Sequence, residues 1–367
     1  MSADQRGPLA GLRVLEVAGI GPGPFCGMLL ADLGADVVVV ERIEAEAQGR
    51  GPQAIFNRGK RSVVVDLKKP EGVEAVLSLA AQCDALIEGM RPGVMERLGL
   101  GPDVCIGRNP RLVYGRMTGW GQTGPLAPVA GHDLNYIALS GALWYSGQPG
   151  TPPLAPPTLI GDIGGGALYL AIGLLSAVMS ARATGRGQIV DAAIVDGSAH
   201  MLNLILGLRP SGQLVSERGA SLLDGPHWYS TYRCADGHFI SVGSLEPKFY
   251  QLLLTKLGLA GDPSFANGYQ RRTWPELRAK FSELFAQRTR AEWCALLEGT
   301  DACFAPVLTP EEASVHPHMA ERGVYSNADG VLQTSPAPRF SETPAATPRP
   351  MRREPDVSAV LQRWTSR

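Results

Sequence analysis

From Leu12 onward, short unbroken apolar runs alternate with stretches of helical spacing. Leu12–Ala18 (LRVLEVA) and Ala35–Val40 (ADVVVV) read as strands, and Phe25–Leu33 (FCGMLLADL) between them has the spacing of a helix. The second run is nearly continuous in valine, which suits a parallel strand covered on both faces. Ser62–Asp66 (SVVVD), Ala85–Glu88 and Leu112–Arg116 predict further strands, and Pro70–Gln82 predicts a helix. The fold class expected from this order is α/β, opening with a Rossmann-like unit built on a parallel sheet.

Beyond Gly119–Pro128, a Gly/Pro-rich loop, residues 134–145 and 163–182 have helical character. Gly147–Pro157 reads as a second turn-rich loop, Val190–Ile194 as a strand and His200–Leu208 as an apolar helix. Tyr229–Ala235 and His238–Val242 predict a hairpin turning at Asp236-Gly237. Helices are expected at 247–257, 274–287 and 290–298, extended chain over Pro317–Pro350, and a last helix at Asp356–Trp364. The domain reading is a large domain over 1–208, a linker over 209–224 and a small α+β domain over 225–315. Residues 316–367 then form a return linker and a C-terminal helix on the large domain.

The charge balance is even: 34 basic residues against 35 acidic in 367, a formal net charge of −1. That argues against a nucleic-acid partner, which needs a clustered basic excess. Two local clumps, Arg58-Gly59-Lys60-Arg61 and Lys68-Lys69, suit a small polyphosphate ligand better. The six cysteines form no C-x-x-C pair, and no His/Cys spacing suits zinc, so no metal is expected. The opening MSADQRGPLAGL lacks the apolar core of a signal peptide, so the expected compartment is the cytoplasm. Residues 163–181 are uncharged and long enough to tempt a membrane reading. Their three opening glycines and the lack of a second such run favour a buried helix, and no membrane partner is expected.

Two polar signatures carry the candidate chemistry, Gly131-His132-Asp133-Leu134-Asn135-Tyr136 and Ile160-Gly161-Asp162-Ile163. Each places a titratable side chain at an expected helix start, where Asp162 by itself would be an N-cap. A base and an acid converging on one carbon could move a proton from one face to the other, the chemistry of racemases and epimerases. Gly19-Ile20-Gly21-Pro22-Gly23-Pro24 with Glu41 some twenty residues on makes a dinucleotide fold the rival, although Pro24 replaces the third glycine. Arg42 and Arg91 follow strands and could reach a phosphate from the ligand crevice. No G-x-S-x-G elbow is present.

Longer motifs carry a resemblance. LAGLRVLEVAGIGPGPFCGMLLADLGADVVVVER, NRGKRSVVVDLKKPEG, ALIEGMRPGVMERLGLG, GRMTGWGQTGP, AGHDLNYIALSG, LIGDIGGGALY and GRGQIVDAAIVDGS resemble the family III CoA-transferases, and within them the α-methylacyl-CoA racemases. The resemblance spans essentially the whole chain. It implies an interlocked homodimer with the site where the large domain of one subunit meets the small domain of the other. It implies a 2-methylacyl-CoA substrate, with coenzyme A part of that substrate and no further cofactor. It implies His132 and Asp162 as the two acid/base groups, Glu246 as hydrogen-bond partner of the histidine, and the Asp133 backbone N–H as donor to the thioester oxygen. Arg42, Asp66, Leu67, Lys68 and Arg91 match CoA-contact positions. Met28, Met201 and Ile205 are weaker candidates for an apolar acyl pocket. The transferases, with Asp162 as a nucleophile, remain the alternative; they usually lack a histidine at position 132.

Overall fold

Each apolar run of the N-terminal half becomes a strand enclosed on both sides; the run from Asp36 to Glu41 is buried at every position. The computed structural model describes residues 7–41, 55–328 and 330–366. The first stretch runs β1 (Arg13–Val17), α1 (Pro22–Asp32), β2 (Asp36–Glu41), β3 (Arg61–Val64), α2 (Pro70–Ala80), β4 (Ala85–Glu88), α3 (Val94–Arg97), α4 (Pro102–Arg108), β5 (Val113–Thr118) and α5 (Asp133–Ser140). A π-helical segment, Leu159–Ala167, then leads into α6 (Leu168–Thr184), β6 (Ile189–Ala193) and α7 (Ile194–Met201). Next come α8 (Asn203–Leu206), β7 (Tyr229–Arg233), β8 (Phe239–Gly243), α9 (Pro247–Lys256), α10 (Trp274–Phe285), α11 (Arg290–Leu297), β9 (Phe304–Val307), α12 (Pro310–Val315) and α13 (Pro317–Glu321). A ribbon of β10 (Tyr325–Ala328) and β11 (Val331–Thr334) precedes β12 (Arg352–Arg353) and α14 (Val357–Thr365).

The large sheet has seven parallel strands in the order β12-β3-β2-β1-β4-β5-β6. Connections run one way from β1 through β2 to β3 and the other way from β4 to β6, so the order reverses between β1 and β4. A crevice opens at the carboxyl ends of strands at such a switch point. Successive residues of β1 face opposite sides: Val14 joins one core with Leu30 and Leu174, while Leu15 joins the other with Leu79 and Trp364. The second of these cores contains α14, whose Trp364 indole N–H donates to Asp36 at 3.1 Å.

The chain divides into two compact units, Met1–Ala142 with Pro156–Leu202 and Asn327–Arg367, and Leu143–Ala155 with Asn203–Ser326. The second holds the antiparallel sheet β7-β8-β9. Its core is aromatic: Trp228, Tyr232, Phe281, Phe285 and Trp293 are all buried.

Several expectations need correction. The first basic clump is taken up by internal pairs. Lys60 is buried and donates to Glu16 at 2.7 Å and to the Pro24 carbonyl at 2.9 Å. Arg58 forks onto Asp32 at 3.1 and 2.6 Å, and Arg61 pairs with Glu354. Gly27 makes room for the first pair, since a Cβ there would stand 1.9 Å from the Glu16 carboxylate. Glu41, the acid of the dinucleotide rival, is buried and pairs with Arg353 at 3.4 Å. The helix expected at His200–Leu208 starts at Ile194 and ends at Met201, followed by the short α8. Pro317–Pro350 is not all extended, for it holds α13 and the ribbon. Asp162 is not an N-cap: the helix begins at Leu159 after Thr158 and carries Asp162 in its first turn. Among the described residues, the run Leu159–Thr184 alone is long and apolar enough to cross a membrane. Leu170, Leu174, Ala177 and Ala181 turn its inner face to the core.

Candidate active site

His132 is the N-cap of α5. Its extended backbone (φ −136°, ψ 173°) ends the loop before the helix, and its N–H donates to Asn135 Oδ1 at 3.1 Å. The imidazole is exposed. Asp133 follows at the first helical position, where backbone N–H groups have no partner inside the helix and the dipole is positive. Its side chain turns inward and is buried. There the Asp133 Oδ1 accepts the backbone N–H of Asp162 at 2.8 Å. Gly161 permits this approach, because a Cβ at that position would lie 2.4 Å from the same oxygen.

Asp162 therefore sits beside the start of α5. Its Oδ2 lies 3.5 Å from where a Cβ on Gly21 would be, and Gly21 is the N-cap of α1 with φ 69°. Because α1 leaves the carboxyl end of β1, the acid stands at the switch point of the sheet. Its half-buried carboxyl has a pKa raised from 3.8 to about 6, chiefly by burial, then by the Asp133 carboxylate, with His132 pulling the other way. The π-helical segment is held from behind by glycine: Gly197 of α7 comes so near Gly165 that a Cβ there would be 1.9 Å from the Gly165 carbonyl. A π-turn is often found where a helix must present one functional side chain.

Tyr136 completes this cluster and was not among the residues singled out from the sequence. Its hydroxyl donates to the Gly131 carbonyl, and its ring meets Trp120 edge-on with centroids 4.7 Å apart. Burial and the Asp162 charge raise its pKa, while Arg91 lowers it, so the acid and Arg91 both act on one phenol. The signal for Tyr136 was its place one turn beyond His132 in the same motif.

Arg91 is exposed just past β4. Asp66 follows β3; its Oδ1 accepts the Lys68 N–H at 3.0 Å and its Oδ2 is 3.8 Å from the Lys69 ammonium. Leu67 is buried in the core beside α2, so only its backbone could meet a ligand. Lys68 is exposed. Arg42 lies outside the described residues. Glu246 belongs to the second unit, where it is the exposed N-cap of α9; burial, and after it the Glu246 charge, raises the pKa values of Tyr269 and Cys303. Met28 is buried inside the large unit. Met201 lies against the π-helix, 3.2 Å from a Cβ on Gly164, and Ile205 is in α8 of the second unit.

The model of the CoA-transferase family III matches residues 9–357. An alpha-methylacyl-CoA racemase of Mus musculus is 43% identical over 351 residues, 95% of this chain and 90% of its own. That of Homo sapiens is 44% identical over 92% of this chain and 87% of its own. A crystal structure of a CAIB/BAIF family protein from Brucella suis superposes with TM-score 0.83 at 30% identity, covering 98% of this chain and all of that one. Matching motif, length and parallel-sheet architecture agree: the chain belongs to the family III CoA-transferases.

Proposed function

We propose that this chain is an isomerase that interconverts (2R)- and (2S)-2-methylacyl-CoA thioesters. One observation carries the reading. A base and an acid, His132 and Asp162, stand on two elements that a single hydrogen bond ties together at the carboxyl edge of the sheet. The racemases among its relatives support it.

The chemistry follows from the groups. A thioester α-proton is weakly acidic, so the enolate oxygen needs a donor as charge develops. We assign that role to the Asp133 N–H at the start of α5, and such a donor contributes about 3–4 kcal/mol. His132 takes the C2 proton from one face and Asp162 delivers its own proton to the other, leaving imidazolium and carboxylate. For the opposite enantiomer the roles exchange. The working enzyme therefore carries one proton across the pair, and its apparent pKa values belong to the pair. By the resemblance, Glu246 is assigned as the hydrogen-bond partner of the histidine, a role that would favour the imidazolium. Arg42, Asp66, Leu67, Lys68 and Arg91 contact the CoA moiety, and no other cofactor takes part.

In this reading the protein is a homodimer of lipid metabolism in the cytoplasm, without nucleic-acid or membrane partners. Six free thiols suit a reducing compartment. The outward face of α6, with Leu168, Ile172 and Met179 exposed, is assigned to a second copy of the chain.

The test is incubation of a 2-methylacyl-CoA in deuterated water with no acceptor acid. Deuterium should appear at C2, and His132→Ala or Asp162→Ala should reduce that exchange by orders of magnitude. The transferase alternative predicts no exchange without an acceptor and an Asp162 anhydride that hydroxylamine traps. Hydroxylamine modification at Asp162 with no deuterium at C2 would reject the racemase reading.

A further inference from the structure

We propose that the side chain of Asp133, as distinct from its backbone N–H, is a positioning residue that locks Asp162 to the helix start carrying His132. The inference rests on the racemase reading for its catalytic meaning, though its geometry does not. The Asp133 carboxylate is buried and takes the Asp162 N–H at 2.8 Å. The cleft it occupies exists only because residue 161 is glycine, and Ile137 of α5 closes the same cleft at 2.9 Å from a Cβ there. The bond joins the residue after His132 to the backbone of Asp162. A shift of either element would therefore be felt by both acid/base groups, and small misplacements at a reacting centre are costly in rate.

The carboxylate also has an electrical consequence. The charged groups acting on Asp162 are Asp133, which opposes its ionisation, and His132, which favours it. Tyr136 stands in reach of the same charge. The start of α1 brings Gly21, and the face of α7 against the π-helix brings Gly197 and Ser198. Burial is the larger cause of the raised pKa; among the charged groups, Asp133 supplies the negative charge that adds to it and favours the protonated form a proton donor needs.

Two variants separate the mechanical role from the electrical one. Asp133→Asn keeps an oxygen acceptor and removes the charge; Asp133→Ala removes both. In Asp133→Asn the acid limb of the kcat/KM profile for C2 exchange should move down by roughly one pH unit. The Asp162 carboxyl, followed by ¹³C NMR in the free protein with Asp162→Asn for assignment, should move with it. In Asp133→Ala, kcat should fall roughly 10- to 100-fold with KM changed less than about threefold, and Asp133→Asn should recover much of that loss. An unchanged Asp162 titration in Asp133→Asn overturns the electrical role. A wild-type kcat in Asp133→Ala overturns the positioning. Should Asp133→Ala fail to fold, the asparagine variant's titration still decides the electrical role, and Gly161→Ala, whose Cβ would stand 2.4 Å from the Asp133 Oδ1, decides the positioning: a wild-type kcat there overturns it. Absence of exchange in the wild-type chain would sink the racemase reading, whereas the NMR titration reads the Asp133–Asp162 contact without any turnover.

Discussion

At Asp162 the demands of chemistry and of stability diverge. Its carboxyl titrates near 6 in the folded chain against an ordinary 3.8. A raised acid binds its proton more tightly when folded, so its contribution is fully present below about pH 4 and lost as pH rises through about 6. At pH 8 the charged form is a burden on the fold. Asp162→Asn should therefore raise the melting temperature at pH 8, by the equivalent of about 1 kcal/mol once its half exposure is allowed for, and change it little at pH 4.5. Thermal denaturation at the two pH values checks this; equal shifts at both would mean that packing, not charge, governs the site. Such a gain in stability with loss of activity is the pattern expected where a site holds a strained charge state. Much at this scale was legible. A histidine after glycine and before a helical run marked the start of α5. What stayed hidden were partnerships across long separations. Arg58 and Lys60 looked like ligand contacts because their partners, Asp32 and Glu16, lie 26 and 44 residues earlier in the chain. Only the folded sheet brings them together, and only Gly27 lets the second pair close.

Among the elements, the strands that the pattern marks best are those enclosed on both faces, where every position must be apolar. The strands it misses have another physical basis. β12 is two arginines at a sheet edge, held by backbone bonds to Lys60 and Ser62 and by no apolar run. β9 contains Pro306, which a sheet tolerates on an edge strand, and β9 is one. The start of α7 is masked because β6 runs into it at Ala193-Ile194 with no turn residue between. The glycines of LIGDIGGGALY permit close backbone approach, and the approach is found at Gly165 against Gly197. Here a further outcome is expected. Gly197→Ala places a Cβ 1.9 Å from a backbone oxygen, which no side-chain motion relieves. It should destabilise the chain by about 2 kcal/mol or more and lower C2 exchange, since the displaced segment carries Asp162. Gly107→Ala, in α4 with nothing within 4 Å of the added methyl, should instead be neutral or stabilising by up to ~1 kcal/mol. Melting curves of the two variants check the contrast; equal effects would mean that helix propensity, not the contact with the π-helix, sets the cost at Gly197.

For the molecule as a whole, the exposed side of α6 sets the problem that a partner would solve. Its inner residues fill the core beneath the sheet, yet Leu168, Ile172 and Met179 on the outer side are 40%, 62% and 74% exposed. Their spacing of four and seven residues puts them on one stripe. On α5, Leu134 and Leu139 are also exposed, at 53% and 61%. Isolated apolar side chains in water are ordinary, whereas a stripe of this kind on one helix marks a contact surface. A second copy of the chain is the occupant assigned above, and a stable self-association needs a contact of about 1,200 Å² or more with an apolar centre. Wild-type protein should sediment as a dimer at micromolar concentration. Ile172→Glu with Met179→Glu should shift it toward monomer, because each buried carboxylate without a partner costs several kcal/mol. If the site is completed by the partner's small unit, C2 exchange per chain should fall as the dimer dissociates, and recover with protein concentration. A wild-type monomer with full exchange activity would refute the shared site. A dimer unaffected by both glutamates would place the interface on another face of the molecule.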